Sequence, residues 1–273
     1  MHKRIEDLRR RYPWVDVAMA VVEKGGQDKA SRLAALISYY SFFSLFPLML
    51  VFVWAADTLL RGSARQKVID SAVGRFPVIG NSLNQGHLGG GVAAVTVGVV
   101  GALWAGTKAF EAFELAMTTV WHGPLTMPTK FFKRKLRAVA MIVVFGLGLV
   151  VATGGSAVVA TLDQIPAAAR PLGILASILF NALLAALMFS VSVSPRPKWR
   201  HLVPGAVVTG VLMTFLYSVG TVYLTRVIAN AGDTYGTFAI VIGLLTWLNL
   251  ICTVVVWSAE LNSVLAGRRA VVD

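Results

Sequence analysis

Residues Tyr235–Leu265 read YGTFAIVIGLLTWLNLICTVVVWSAELNSVL and contain a single charged side chain, that of Glu260. An α-helix needs about 20 predominantly apolar residues to cross the hydrocarbon layer of a bilayer. This stretch exceeds that length, and it lacks the strict alternation that marks a membrane β-strand of about 10 residues. The stretch therefore predicts a membrane-spanning helix, and this decides the class of fold for the rest of the chain.

The composition of the whole chain agrees with that prediction. Of the 273 residues, 56% are hydrophobic and 14% are charged, and the mean hydropathy is +0.71. The apolar content excludes a disordered chain, and because soluble proteins carry about 25% charged residues, the composition argues against a soluble enzyme. The single cysteine, Cys252, also excludes a disulfide-stabilised scaffold. The chain is predicted to be an integral membrane protein.

Five more apolar stretches are long enough to cross a bilayer. Together with the first they predict an all-α integral membrane protein, a bundle of six transmembrane helices, with spans at Leu33–Ala56, Leu88–Thr107, Ala138–Leu162, Leu172–Ser194, Leu202–Thr225 and Tyr235–Leu265. Between the first two spans, apolar residues recur at helical spacing up to Phe76. They predict a short external amphipathic helix that ends near Pro77.

The positions of the basic residues predict the orientation of the bundle. In this topology 19 of the 25 Lys and Arg residues fall on the side of both termini, and six fall on the other side. Because Lys and Arg concentrate in cytoplasmic connections, both termini are predicted to be cytoplasmic. One membrane domain, residues 33–267, then lies between a basic N-terminal arm, residues 1–32, and a short cytoplasmic tail, residues 268–273.

The N-terminal arm is not a cleaved signal sequence, because its first residues are charged where a signal peptide has its apolar core. Within the arm, Trp14–Val22 is apolar but too short to span a bilayer. Two interpretations stay open for this segment. It forms an interfacial helix on the inner leaflet, or it packs against the floor of the bundle.

Short motifs of hydrolytic, phosphate-binding and metal-dependent enzymes are absent from the sequence. The four histidines are scattered along the chain, and Cys252 lies inside an apolar stretch. We therefore predict that the protein is not an enzyme, with no catalytic residues, no metal site and no cofactor.

A basic run, KFFKRKLR, directly precedes the third predicted span. On the cytoplasmic side such a run meets anionic lipid headgroups, with each cation contributing about 1 kcal/mol near the surface. We expect membrane lipids as partners and no nucleic acid, with headgroup contacts from Lys130, Lys133, Arg134, Lys135 and Arg137. Glycines in the third span would also permit a homo-oligomer, although packing within one chain is the default expectation.

Polar side chains within the spans carry the remaining information, because polar groups are costly in lipid. In the fourth, fifth and sixth spans they recur at helical spacing, so each helix presents one polar stripe. The stripes predict either a solute pathway or hydrogen bonds between packed helices. We favour packing for the Ser and Thr residues and a pathway for Asn249 and Glu260; the candidate residues are Ser44, Asn181, Thr214, Ser218, Thr221, Asn249, Thr253 and Glu260.

Charged residues near one end of the spans predict a second group. Lys108, Glu111 and Glu114 follow the second span directly, and Glu260 falls near the same edge of the membrane. These residues are predicted to form the inner mouth of the pathway, where Glu260 can pair with Lys108.

Three segments resemble a known family, the YihY/virulence factor BrkB family of bacterial inner-membrane proteins. The segments are AALISYYSFFSLFPLML at Ala34–Leu50, PRPKWRHLVPGAVVTG at Pro195–Gly210, and the last span with its Ala259-Glu260-Leu261-Asn262 motif. Ser258 departs from the glycine that usually precedes that motif. The resemblance implies a six-span protein of the bacterial cytoplasmic membrane, with a role in transport or envelope maintenance.

Two functions from different classes follow. The first is a transporter or translocator of an amphipathic or lipid-like solute along the polar stripes. The second is a non-transporting scaffold for envelope maintenance that acts through its arm and loops. Members of the family have carried the label ribonuclease BN, but this chain has no zinc-hydrolase ligand set, so we predict no ribonuclease activity.

Overall fold

A computed structural model describes residues 12–59, 92–122, 170–193, 197–223 and 229–272. These residues form helices and no strand, which confirms the predicted all-helical class for the described part of the chain. The helices are α1 Pro13–Gln27, α2 Ala30–Leu59, α3 Val92–His122, α4 Arg170–Ser192, α5 Trp199–Tyr223 and α6 Ala229–Val272.

Three helices contain segments that are long and apolar enough to cross a membrane: Pro171–Ser192 in α4, Trp199–Val219 in α5 and Val241–Gly267 in α6. Helices α2 and α3 lie on the first and second predicted spans. The third predicted span, the external helix near Pro77 and the basic run before the third span lie outside the described residues. The count of six spans and the orientation of the termini therefore stay predictions.

Helix α3 is longer than the sequence prediction, which ended its span at Thr107. The helix continues without a break to His122. Its second half buries Phe113, Met117 and Val120, which recur at the three- and four-residue spacing of one helix face. That apolar face explains the continuation, because it packs into the protein although charged residues interrupt the hydropathy there.

A two-residue turn joins α1 to α2. Asp28 follows the last helical residue of α1, and its N–H donates to the carbonyl of Lys24 at 2.9 Å. Lys29 then adopts a φ of 57°, a left-handed conformation that residues other than glycine rarely adopt. The turn places Lys24 and Asp28 together at the end of α1.

The chain forms two compact units. One unit comprises residues 38–109 and 223–248. Within it α2 and α3 approach closely, because a Cβ atom on Gly101 would lie 3.2 Å from the Cβ of Pro47. The glycine therefore permits this contact between the two helix backbones.

The other unit comprises residues 1–37, 110–222 and 249–273. Two glycines of α5 set its packing. A Cβ atom on Gly205 would collide with the carbonyl oxygen of Ser258 in α6, and one on Gly210 would lie 2.5 Å from a carbonyl oxygen of α4. Small residues let membrane helices approach this closely, so α5 packs backbone to backbone against both α4 and α6.

Candidate functional site

The predicted pathway residues of the Ser and Thr type bond to their own helices. In α5, the Thr214 hydroxyl donates to the carbonyl of Gly210 at 2.8 Å, and the Ser218 hydroxyl donates to the carbonyl of Thr214 at 2.9 Å. Thr253 donates in the same way to the carbonyl of Asn249 in α6 at 2.7 Å. Such bonds to the preceding turn satisfy a hydroxyl without joining two helices.

Two further candidates follow the same pattern. Asn181 donates from Nδ2 to the carbonyl of Ser177 in α4 at 2.9 Å, and Ser44 in α2 donates to the carbonyl of Ser41 at 2.7 Å. Ser44 is buried, whereas Asn181 is half-buried. For Thr221 the structure describes the helix but not the side chain, so its predicted role stays a prediction.

Asn249 differs from these residues. It is exposed in α6, eight residues inside the apolar segment Val241–Gly267, at a depth of about 12 Å along the helix axis. Among the described residues, no partner of its side-chain amide is found, since the one bond at this residue uses its carbonyl oxygen. An open amide therefore lies within an apolar span.

The predicted inner-mouth residues occupy the middle of α3. Lys108 and Glu111 are half-buried and Glu114 is buried, and all three have interaction partners. The predicted pairing of Glu260 with Lys108 is wrong, because the cation that binds Glu260 is Lys24 of α1.

Glu260 lies at the centre of a charged cluster in the unit that holds α1. Its side chain is completely buried, and its Oε2 lies 2.8 Å from the Lys24 Nζ. The same Nζ lies 2.5 Å from Oδ2 of Asp28 and donates to the carbonyl oxygen of Val120 at 2.7 Å. We call Lys24, Asp28, Glu260 and the Val120 carbonyl the Lys24 cluster.

All three N–H donors of the Lys24 ammonium make hydrogen bonds in this arrangement. An ammonium group has three donors, and each has an acceptor here: one carboxylate of the α1–α2 turn, one carboxylate of α6 and one carbonyl of α3. Ser263 of α6 donates to the same Val120 carbonyl at 2.9 Å. The cluster therefore ties the end of α1 to both α3 and α6.

One atom of the cluster has no partner. Oε1 of Glu260 is buried, and it has no hydrogen-bond donor among the described residues. A buried polar atom without a partner is rare in native proteins and costs about 1–3 kcal/mol. Oε2 of Glu260 therefore accepts a hydrogen bond from Lys24, whereas Oε1 has no donor among the described residues.

Two residues from Glu260, the Asn262 side chain joins α6 to α5. Its Oδ1 accepts the N–H of Gly205 at 2.6 Å, and its Nδ2 donates to the carbonyl of Leu202 at 3.0 Å. Pro204, which has no N–H to donate, lies between these two positions of α5. The buried amide of Asn262 bonds the α5 backbone at this point in the way a peptide group would.

Helix α1 packs against the protein just beyond the Trp14–Val22 segment, and the two interpretations of that segment stay predictions. Near its end, Gly25 is buried against the ring of Trp257, so α1 packs on α6. On another part of the helix Trp14 and Val22 are exposed, at 71% and 62%. One face of α1 therefore contacts the bundle, and an apolar face is left for the surroundings.

Sequence reasoning missed Lys24 and Asn262. Lys24 was counted only as one of the basic residues that set orientation, and 236 positions separate it from Glu260. No local spacing signals such a pair. The resemblance gave a better signal for Asn262, because the Pro204-Gly205 pair and the Ala259–Asn262 motif both belong to segments that carry it, and the structure brings them into contact.

A metal centre is not formed by the part of the chain that the structure describes, since no three His, Cys, Asp or Glu side chains converge there.

Comparison with known proteins gives one result that bears on the family. The family model described as Virulence factor BrkB matches residues 21–273, which confirms the resemblance seen in the motifs. No curated protein and no solved structure gives a significant match. On the extent of the family match, the chain belongs to the Virulence factor BrkB family.

Proposed function

We propose that this protein moves an amphipathic, lipid-like solute across the bacterial cytoplasmic membrane, in a bundle of six spans whose two termini face the cytoplasm. The observation that carries the proposal is the open amide of Asn249 inside an apolar segment of α6. The proposal includes no enzymatic step, and it takes membrane lipids as the partners of the protein.

The free-energy cost of placing an amide without a hydrogen bond in hydrocarbon supports this proposal. Moving an amide from water into an apolar medium without a hydrogen bond costs about 4–8 kcal/mol on hydrocarbon scales. The Ser and Thr hydroxyls of α5 avoid that cost through their own helix. The described residues supply no such bond to the Asn249 amide, and in this proposal water or a polar solute group supplies it.

The side chains around Asn249 give the chemistry of the solute. Leu250, the residue after Asn249 on α6, is exposed beside it, and Thr253 lies one turn further along the helix. A large apolar side chain next to an amide and a hydroxyl suits a molecule with an apolar chain and a polar headgroup. A purely hydrophilic solute would leave the exposed aliphatic side chain in water.

The membrane surface is the expected place for α1. Trp14 is exposed on this helix, and amphipathic aromatic side chains favour the headgroup region. The arm also supplies Lys3, Arg4, Arg9, Arg10 and Arg11, which would attract anionic lipids of the inner leaflet.

The test is a lipid translocation assay with purified protein in vesicles of phosphatidylethanolamine and phosphatidylglycerol. A fluorescent NBD-phosphatidylglycerol reports movement, because dithionite bleaches only the outer leaflet unless the protein brings inner-leaflet lipid out. We expect the wild type to accelerate bleaching of the inner-leaflet pool over protein-free vesicles. Asn249→Leu should slow that phase at least about tenfold, a loss of about 1.4 kcal/mol of barrier stabilisation.

Ser190→Ala is the matched control for that variant. Ser190 lies in the apolar α4, and its one hydrogen bond to a described residue is to the carbonyl of Leu187 on its own helix, so its loss should leave translocation unchanged. Both variants should elute as the wild type does on gel filtration. Equal bleaching in protein-free and wild-type vesicles would reject translocation and favour the envelope scaffold instead, whereas a fully active Asn249→Leu variant would reject Asn249 as part of the pathway.

A further inference from the structure

The Lys24 cluster carries an excess of negative charge. Its charged members are one ammonium, on Lys24, and two carboxylates, on Asp28 and Glu260. The other groups of the described residues that reach it are neutral, namely the Val120 carbonyl and the Ser263 hydroxyl. With both carboxylates ionised, the net charge of the cluster is that of one carboxylate.

Burial makes this excess charge costly. The Glu260 side chain is fully buried and the Asp28 side chain is 10% exposed, so neither carboxylate is well hydrated. An uncompensated charge costs several kcal/mol in such a site, and two carboxylates that share a site do not both ionise readily. The Glu260 Oε1, which has no donor among the described residues, is the atom where compensation is missing.

The chemistry of the site favours a proton over a metal ion as the missing positive charge. Hard cations such as Ca²⁺ take six to eight oxygen ligands, and Mg²⁺ takes six. Here the Val120 carbonyl already accepts two donors, and the bound oxygens of both carboxylates face the ammonium. Oε1 of Glu260 is a buried oxygen with no donor among the described residues, and a proton needs only one such acceptor.

We propose that the Lys24 cluster is a proton-binding site, in which Glu260 takes up one proton at its open Oε1 while Lys24 neutralises the carboxylate of Asp28. The proton comes from water and adds to a carboxylate oxygen, and no covalent bond is broken. Protonation of Glu260 removes its charge attraction to Lys24, so it weakens the hold of α6 on α1. This inference goes beyond the proposed function, because it requires no transported solute.

The experiment measures the protonated carboxyl group directly. N,N′-dicyclohexylcarbodiimide adds to a protonated carboxyl group in an apolar site and does not add to a carboxylate. The full-length protein in detergent is treated over a series of pH values, and labelled peptides are quantified by mass spectrometry. We expect labelling of Glu260 that falls as the pH rises, by at least about tenfold across its titration over about two pH units, as titration of a single proton requires.

Two variants distinguish a cluster that binds a proton from one that is a fixed ion pair. Asp28→Asn removes the excess charge, so Glu260 should stay ionised beside Lys24 and lose its labelling at all pH values. Lys24→Met removes the cation, so labelling should persist to higher pH than in the wild type. Glu23→Gln, one residue from Lys24 on α1, is the matched control and should leave the labelling profile of Glu260 unchanged.

A second measurement does not depend on entry of the reagent. The carbonyl band of a protonated carboxyl group in the infrared difference spectrum between acid and alkaline samples should be lost in Glu260→Gln and in Asp28→Asn. Labelling that ignores pH, labelling that Asp28→Asn leaves unchanged, or the absence of that band in the wild type would each overturn the proposal.

Discussion

Helix α6 carries two polar side chains within one apolar segment, and the structure treats them in opposite ways. Glu260 is fully buried, paired with Lys24 and surrounded by groups from α1 and α3. Asn249, about 16 Å away along the helix axis, is exposed and open. The buried and paired Glu260 belongs to a junction that holds helices together. The exposed Asn249 belongs to a surface that we expect to contact water or a polar group. Hydropathy alone scores the two positions alike.

The largest expected effect on stability comes from breaking the ion pair between Lys24 and Glu260. Lys24→Met leaves the buried carboxylate of Glu260 without its cation, and loss of one partner of a buried ion pair costs about 3–5 kcal/mol. The free energy of unfolding, measured by titration with sodium dodecyl sulfate at a pH above that at which Glu260 of this variant loses its carbodiimide labelling, should fall by that amount. Asn249→Leu, measured in the same way, should leave it unchanged or raise it slightly.

The double variant Lys24→Met/Glu260→Gln is the control for that loss. With both charges removed, most of the stability should return, because a neutral amide is far cheaper to bury than an unpaired carboxylate. If Lys24→Met unfolds no more easily than the wild type, then the ion pair does not hold α1 and the contrast between the two polar positions of α6 is lost.

The fold was predictable where apolar content and helical period agree. Helices α4 and α5 each begin and end within three residues of their predicted spans, because a long apolar run has one solution in lipid. Helix α6 contains its predicted span and extends beyond it by six residues at its start and seven at its end. The end of α3 was missed since Lys108 and Glu111 lower its hydropathy, although Phe113 and Met117 continue the apolar face. Charges mark the edge of a membrane span, but they do not end a helix.

The candidate site was only partly predictable. The cost of a charge in an apolar stretch was enough to select Glu260 from the sequence. Its partner was not, because the pairing with Lys24 depends on how α1 packs and not on any local pattern. The bond of Asn262 to Gly205 was hidden in the same way, since both ends look like ordinary helix residues until the backbones of α5 and α6 meet.

A smaller effect is expected where α5 crosses α6 beside the junction. Gly205→Ala would push a methyl group into the carbonyl of Ser258 and the amide of Asn262, and the backbone carbonyl cannot move aside without moving its helix. Overpacking of this kind costs about 1–3 kcal/mol. The same unfolding titration should show that loss.

The control for Gly205→Ala is Gly173→Ala in α4. A Cβ atom on Gly173 meets no atom within 4 Å, so alanine there should be neutral or stabilising by up to about 1 kcal/mol. Equal unfolding curves for the two variants would mean that the close crossing of α5 and α6 is not part of the stable structure.

The smallest effect compares two neighbouring glycines on α1. A Cβ atom on Gly25 would lie 2.7 Å from the ring of Trp257, whereas one on Gly26 meets nothing within 4 Å. Because a side-chain ring can shift, Gly25→Ala should cost only about 1 kcal/mol, the low end for overpacking. Gly26→Ala should instead stabilise α1 by about 0.5–1 kcal/mol through helix propensity.

The two glycine variants are best measured by the rate of tryptic cleavage after Lys24, which requires α1 to leave the Lys24 cluster. Cleavage should be faster than wild type in Gly25→Ala and slower in Gly26→Ala, so the two variants move the rate in opposite directions. Cleavage that is equally fast in both variants would show that α1 does not rest on Trp257.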